Sequence, residues 1–371
     1  ALSINSHLYY HKYMDNPGIL LDVLKVFGLA AFSFFVAFFS TPILTHYLYK
    51  YELWDKRGER EALGGGKASI IAQATRERTQ KPTPYMGGIL VWGTTFIVTM
   101  LFLFLSQAYD NPLLTKLNFF SREQTWLPFA ALMAASLIGL VDDWFSVRNK
   151  GGHRAGGVTL AKRIALILII GGVGAWWFYG PLETESILVP FLGELHLGIL
   201  FIPFFMLTLL AVFSSGVIDG LDGLAGGVFG AIIAAYGGIA FFQNQLDLAA
   251  FLGVISGALL AFLWYNIPPA RFYLSETGIL GLTTVVTIVA FLTKAVAVLP
   301  IIAFPLVIEA GSVIIQVASK KFRGKKVFIA APIHHHFEAK GWPHYKITMR
   351  FWIVSIVSAI VGMVIHLVGM F

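Results

Sequence analysis

The 371-residue sequence contains no cysteine, so disulfide frameworks and thiolate metal sites are excluded. Charge is scarce as well. Asp, Glu, Lys and Arg make up 13% of the chain, against about a quarter in an ordinary soluble domain. No repeat of fixed period is present. The single glycine run, Gly64-Gly65-Gly66, lacks the strand–loop–helix setting in which such loops cradle phosphates, and reads as linker. Ala1 to Gly18 mix polar and aromatic residues, with no basic stretch leading into an apolar core, so no cleavable signal is expected there.

What the sequence has in excess is apolar residues, at 57%. They arrive in blocks of about 20, the length that crosses a hydrocarbon core about 30 Å thick. We expect an all-α, polytopic membrane protein with about ten transmembrane helices, and a single integral membrane domain over residues 1–371. The spans read Leu24–Leu48, Gly87–Ser106, Leu127–Val141, Leu160–Tyr179, Leu197–Ser215, Leu224–Phe242, Leu248–Tyr265, Gly278–Val296, Leu299–Ala318 and Arg350–Phe371. The third continues through Trp144 if its polar end leaves the membrane.

Ten spans place both termini on one side, with residues 1–22 as an external segment. The loops 49–85, 142–163, 216–223, 266–277 and 319–349 then share the other side. Of the 27 Lys and Arg residues, all but Lys12, Lys25, Lys116, Arg122 and Lys294 fall in those loops or at their edges. Basic loops stay cytoplasmic, so this is the expected cytoplasmic face. The net charge of +7 reports the same topology and not nucleic-acid binding.

The acids and histidines gather on that face. Asp142-Asp143 closes the third span. Asp219-Gly220-Leu221-Asp222-Gly223 follows the fifth, and Asn266 and Glu276 bracket the loop between the seventh and eighth. His334-His335-His336 lies between the ninth and tenth. Adjacent residues on a helix diverge by about 100°, so Asp142 and Asp143 are expected to face different partners. Asp219 and Asp222, at i and i+3, would share one face of a helical turn; the competing reading is a helix-start cap. Three consecutive histidines cannot all reach one metal from a regular element. They remain candidates to bond phosphate oxygens, orient one another, donate protons near neutral pH, or hold a loop structurally. Carboxylates suit Mg²⁺, which commonly uses one or two of them together with substrate phosphates, and Lys and Arg complement the remaining phosphate charge. The residues by themselves therefore point to Mg²⁺-dependent phosphoryl or phosphosugar transfer with one lipid substrate.

Several motifs carry a family likeness: Thr83-Pro84-Tyr85-Met86-Gly87-Gly88, Asp142-Asp143, Asp219-Gly220-Leu221-Asp222-Gly223-Leu224, Phe262-Leu263-Trp264-Tyr265-Asn266, and Ala331-Pro332-Ile333-His334-His335-His336-Phe337-Glu338 followed by Lys340-Gly341-Trp342-Pro343. Through them the chain resembles the polyprenyl-phosphate N-acetylhexosamine-1-phosphate transferase superfamily, and within it the phospho-N-acetylmuramoyl-pentapeptide transferases. The resemblance implies a homodimer in the bacterial inner membrane, Mg²⁺, undecaprenyl phosphate and UDP-MurNAc-pentapeptide as substrates, and lipid I and UMP as products. It implies that Asp142 contacts the lipid phosphate, and that Asp143, Asp219 and Glu276 organise the metal. Leu221 and Asp222 would help form the uridine pocket. Lys81, Lys162, Asn266, His334, His335 and His336 would contact phosphates or nucleotide, and Tyr273 would stack on uracil.

The sequence departs from the family pattern in three places. Gly216 stands where an Asn is usual, and Ser146 where a Lys is common. Leu274-Ser275-Glu276-Thr277-Gly278-Ile279 replaces Met-Gly-Asp-(Thr/Val)-Gly-Ser, which lengthens the carboxylate by one methylene. The rival readings are a polyprenyl-phosphate GlcNAc-1-phosphate transferase and a transporter of lipid-linked substrates. A transporter would carry midplane polar groups on broken helices, and Glu309 in the ninth span is the main candidate for one.

Overall fold

The computed structural model describes residues 17–54, 82–122, 124–148 and 158–370. Lys81 and the Gly64–Gly66 run lie outside the described residues. Within them the regular elements are helices apart from one short hairpin. In chain order the elements are α1 (Gly18–Lys50), α2 (Ile89–Ala108), α3 (Pro112–Leu117), α4 (Trp126–Val147) and α5 (Leu160–Tyr179). The hairpin strands β1 (Ser186–Val189) and β2 (Gly193–His196) follow. Next come α6 (Phe201–Ser214), α7 (Leu224–Phe242), α8 (Leu246–Asn266), α9 (Ser275–Leu292), α10 (Val296–Ile302), α11 (Phe304–Arg323), α12 (Ile333–Ala339) and α13 (His344–Val368). Among the described residues nine helices are long and apolar enough to cross a membrane, or ten if α10 and α11 together form one span.

Burial runs opposite to that of a soluble bundle. Central α9 is buried along nearly its whole length, whereas α1, α5 and α13 expose large apolar side chains such as Phe39, Ile169, Trp176 and Ile353. Exposed apolar belts of that extent require lipid as their solvent.

Three expected boundaries need correction. The ninth span is not one continuous helix over Leu299–Ala318. It breaks at Ala303, and α10 and α11 meet at 80°. Pro305 is the physical reason: it has no N–H for the helical bond one turn back, and its ring excludes the preceding carbonyl, so a helix ends before it and a new one starts with Pro in its first turn. The last helix begins at His344 and not at Arg350. The first begins within the segment expected to be external, at Gly18.

The new helix α11 is amphipathic in an inverted sense. Glu309, Ser312, Gln316 and Ser319 are buried, while Val307, Ile314, Ile315 and Phe322 are exposed. The inward polar face has partners. Gln316 Oε1 accepts from the backbone N–H groups of Val327 and Phe328 at 3.0 Å, and its Nε2 donates to the Phe328 carbonyl. Ser319 donates to the Lys325 carbonyl. The α11 face thus fastens the following basic segment against the bundle.

At the opposite end of the molecule, Leu24–Gly28 form a π-helical turn within α1. It turns Lys25 inward, to 5% exposure, where the ammonium pairs with Asp247 at the start of α8 and donates to the Asn118 carbonyl. Removing one partner of a buried pair leaves an uncompensated charge, at a cost of about 3 kcal/mol or more. Asp247→Ala should therefore unfold at a clearly lower temperature in detergent, and Lys25→Met/Asp247→Leu should recover most of the loss. Equal melting of Asp247→Ala and the parent protein would exclude this role. The hairpin lies at this end too: Lys294 donates to Glu194 at 3.0 Å and holds its carboxyl below the usual carboxylate range.

Candidate active site

The first turn of α9 organises the site. Asp143 is 3% exposed. Its Oδ2 accepts from the Ser275 hydroxyl at 2.7 Å and from the Thr277 N–H at 2.9 Å, while Oδ1 accepts from the Glu276 N–H at 3.3 Å. A helix N-terminus presents unsatisfied donors and a partial positive charge, and Asp143, brought in from α4, answers both. Asp219 Oδ2 accepts from the Ser275 N–H at 2.7 Å. Ser275 itself sits at φ +53, a region that costs a non-glycine residue about 1–3 kcal/mol. It is held there from several sides, since the Met86 N–H also donates to its hydroxyl.

This proximity requires a bare backbone on α4. A Cβ at Gly139 would lie 2.2 Å from the Glu276 carbonyl oxygen, so the absence of a side chain there lets α4 and α9 approach.

Asp142 and Asp143 diverge, as neighbours on a helix must. Asp142 Oδ1 accepts from the Val158 N–H at 2.6 Å, and its Oδ2 pairs with Arg163. The same guanidinium pairs through Nη1 with Glu276. Lys162, a candidate from the sequence, is exposed at the start of α5. Arg163, one position further round the helix, is the side chain that reaches the carboxylates. Its only signal in the sequence was its place at the basic edge of the span.

Asp219 and Asp222 do not share a helical turn, which corrects that expectation. A 3₁₀ turn ends at Ile218, and the backbone then turns, so the two carboxylates go to different segments: Asp219 to Ser275, and Asp222 Oδ2 to the Ala270 N–H at 3.1 Å. Neither caps α7. Asn266 joins the same loops. Its Oδ1 accepts from the Gly223 N–H and its Nδ2 donates to the Phe272 carbonyl. Leu221 is buried. Tyr273 is tied through its backbone to Pro84 and Gly87, and its ring lies 6.3 Å from that of Tyr85. Tyr85 and Ser275 stand within motifs of the sequence but carry no role there, because their relevance comes from contacts across the fold.

The histidines fan out from α12. His334 is fully buried and its Nδ1 lies 2.8 Å from Glu309 Oε2 on α11, so the ninth-span acid is paired within the bundle. The other ring nitrogen faces the Asp219–Asp222 loop, where a Cβ on Gly220 would sit 2.4 Å away. His335 bonds to Glu338, which also holds His344. Burial pushes the His335 ring below the ordinary histidine range, against the opposing pull of Glu338. His336 Nδ1 accepts from the Ile329 N–H. His334 is thereby set against the acidic loop.

Among the described residues no three acidic or histidine side chains converge closely enough to hold a metal by themselves. Glu276 and Asp219 nevertheless bring hard oxygen donors to one helix terminus. Mg²⁺ typically takes one or two carboxylates and completes its shell with substrate phosphates and water, so this donor set fits a site finished by a diphosphate.

The chain is similar to proteins already known. The family model described as glycosyl transferase family 4 matches residues 125–294, which include Asp142, Asp143, Asp219 and Glu276. A phospho-N-acetylmuramoyl-pentapeptide-transferase of Chloroflexus aurantiacus is 30% identical over 364 residues, covering 94% of this chain and 92% of its own. One from Ruegeria pomeroyi is 36% identical over 304 residues, covering 76% and 79%. A third, from Chloroflexus aggregans, is 29% identical with coverage of 94% and 92%.

Proposed function

Because the chain belongs to the phospho-N-acetylmuramoyl-pentapeptide-transferase family, we propose that it transfers phospho-MurNAc-pentapeptide from its UDP conjugate to undecaprenyl phosphate, forming lipid I and UMP, the first membrane step of peptidoglycan synthesis. The observation that carries this reading is the convergence of four sequence-distant segments, around Asp143, Asp219, Ser275–Thr277 and His334, at the basic end of an apolar helix bundle. Within the reading, the protein is one integral membrane domain of the bacterial inner membrane, acts as a homodimer, and carries its active site on the cytoplasmic face.

In the reaction a phosphate oxygen of the lipid attacks the sugar-bearing phosphorus of the nucleotide. A new P–O bond forms, the bond to the UMP phosphate breaks, and UMP leaves with that oxygen. A phosphate monoester with a second pKa of about 6 is already largely ionised at neutral pH. Asp142 therefore serves to position the lipid phosphate, and an obligatory base is not needed. Glu276 and Asp219 would hold Mg²⁺, which when bound neutralises the diphosphate charge. Asp143, with both oxygens on the α9 terminus, supports that pair by fixing Ser275 and Glu276. Lys81, Lys162 and the His334–His336 run contribute donors to phosphate or nucleotide. Tyr273, beside Tyr85, forms an aromatic wall for uracil, and Leu221, Asp222 and Asn266 shape the pocket behind it.

The test offers the purified protein, in nanodiscs with undecaprenyl phosphate and Mg²⁺, both UDP-MurNAc-pentapeptide and UDP-GlcNAc, with lipid products read by mass spectrometry. Lipid I is the expected product, and transfer of GlcNAc-1-phosphate alone would overturn the substrate assignment. Asp219→Ala should release UMP at least about 10²-fold more slowly, the scale for losing one preorganised electrostatic group. Turnover close to that of the parent protein would remove Asp219 from the site.

A further inference from the structure

Resting on the assignment of Glu276 as a cation ligand, we propose that Arg163 is a built-in counter-cation that closes the site before substrate arrives and competes with the divalent cation for the Glu276 carboxylate. The guanidinium spans two acids from different helices, with Nη2 at 2.5 Å from Asp142 and Nη1 at 2.5 Å from Glu276. Its Nε donates to the Val158 carbonyl, while the Val158 N–H is bound by Asp142. One arginine thus ties the ends of α4, α5 and α9 together. The planar fork of arginine suits it to hold two oxygens at once, and a lysine ammonium is a single point charge.

The setting strengthens the pair. Ile138, Leu166, Ile167 and Leu280 wall the crevice containing Asp142 and Arg163, and the Asp142 side chain is only 3% exposed. Water is therefore a weak competitor for that half of the bridge. The Glu276 half is more open, at 29% side-chain exposure, so the latch opens from the Glu276 side. The longer side chain at position 276, in place of the family's Asp, extends the carboxylate toward the guanidinium. A cation approaching Glu276 meets a fixed positive charge on one of its oxygens. Nucleotide binding, which brings two phosphates, supplies the anionic partner that draws the guanidinium off and leaves Glu276 to the cation.

The proposal is tested without substrate or turnover. Mn²⁺ binding to the detergent-solubilised protein is followed by loss of the free-ion EPR signal, for the parent protein, Arg163→Gln, Arg163→Lys and Glu276→Gln, with thermal unfolding measured for each. Arg163→Gln is expected to bind Mn²⁺ about tenfold more tightly or better, the scale of removing one close like charge from a partly exposed site. Arg163→Lys is expected to fall between. Glu276→Gln is expected to bind more weakly than the parent. Unchanged or weaker binding by Arg163→Gln, alongside weakened binding by Glu276→Gln, overturns the latch and leaves the cation assignment standing. Parent-like binding by Glu276→Gln overturns the cation assignment and the latch with it. Should Arg163→Gln fail to fold, Arg163→Lys decides, and the absence of any tightening there overturns the proposal.

Discussion

Asp143→Asn is expected to reduce UMP release by about 10²–10³-fold while the protein stays folded in detergent. Asn matches Asp in shape but replaces one acceptor oxygen with a donor. Three donors now point at Asp143: the Ser275 hydroxyl and the Glu276 and Thr277 N–H groups. An amide can satisfy those on one side only, and its NH₂ meets an N–H or the hydroxyl on the other. An unmet buried donor costs about 1–3 kcal/mol, and the helix terminus loses its countercharge as well. Because Ser275 is held at positive φ by these contacts, the first turn of α9 is the part that relaxes, and Glu276 moves with it. The paired measurements are UMP release and thermal unfolding. A variant with full turnover would show that the α9 terminus does not set the geometry of the reacting groups.

Gly139→Ala is the second large effect. Its new methyl would stand 2.2 Å from the Glu276 carbonyl oxygen and 2.6 Å from the carbonyl carbon. Backbone cannot rotate away as a flexible side chain can, so α4 and α9 must separate. Overpacking of this kind costs about 1–3 kcal/mol. The displacement also falls on the residue proposed to hold the cation, and a shift of about 1 Å at a reacting centre can cost about 10²-fold in rate. Activity should therefore fall much further than stability. Gly172→Ala is the matched control: a Cβ there meets nothing within 4 Å, and alanine's better helix propensity should leave that variant at least as stable as the parent. Equal behaviour of the two variants would dismiss the close helix approach as a determinant of the site.

The sequence was most informative where one physical constraint acts alone. Crossing a bilayer needs a long apolar run, so α2, α5, α7 and α8 could be placed from composition to within a few residues. The clustering of acids on the basic side followed from the same segmentation. Legibility failed where two constraints overlap. Around Ala303 the chain is apolar on both sides, and that signal masked Pro305, which marks the break. The i, i+3 spacing of Asp219 and Asp222 suggested a helical turn, yet Gly220 and Gly223 punctuate a bend that sends the two side chains to separate loops. The hairpin over Ser186–His196 was invisible because its strands have four residues each and carry too little alternation to register. Arg163, next to Lys162, is the residue that reaches Asp142 and Glu276. Which face of α5 meets α4 depends on packing, and no local pattern announces it. For Asp143, the acid was evident from its motif, but its partners, 132 to 134 residues away, could be found only in three dimensions.

The inverted face of α11 has a consequence for how the chain is made. A segment carrying Glu309, Ser312, Gln316 and Ser319 is a poor substrate for insertion by itself, since acidic residues at a helix centre cost about 2.5–3.5 kcal/mol on insertion scales. Its polar groups find partners in the segment after it: Gln316 in residues 327–328, Ser319 in Lys325 and Glu309 in His334. Those partners leave the ribosome after α11 does. The helix is therefore settled late in synthesis, once the residues downstream have emerged, and the acidic loop opposite His334 is completed last.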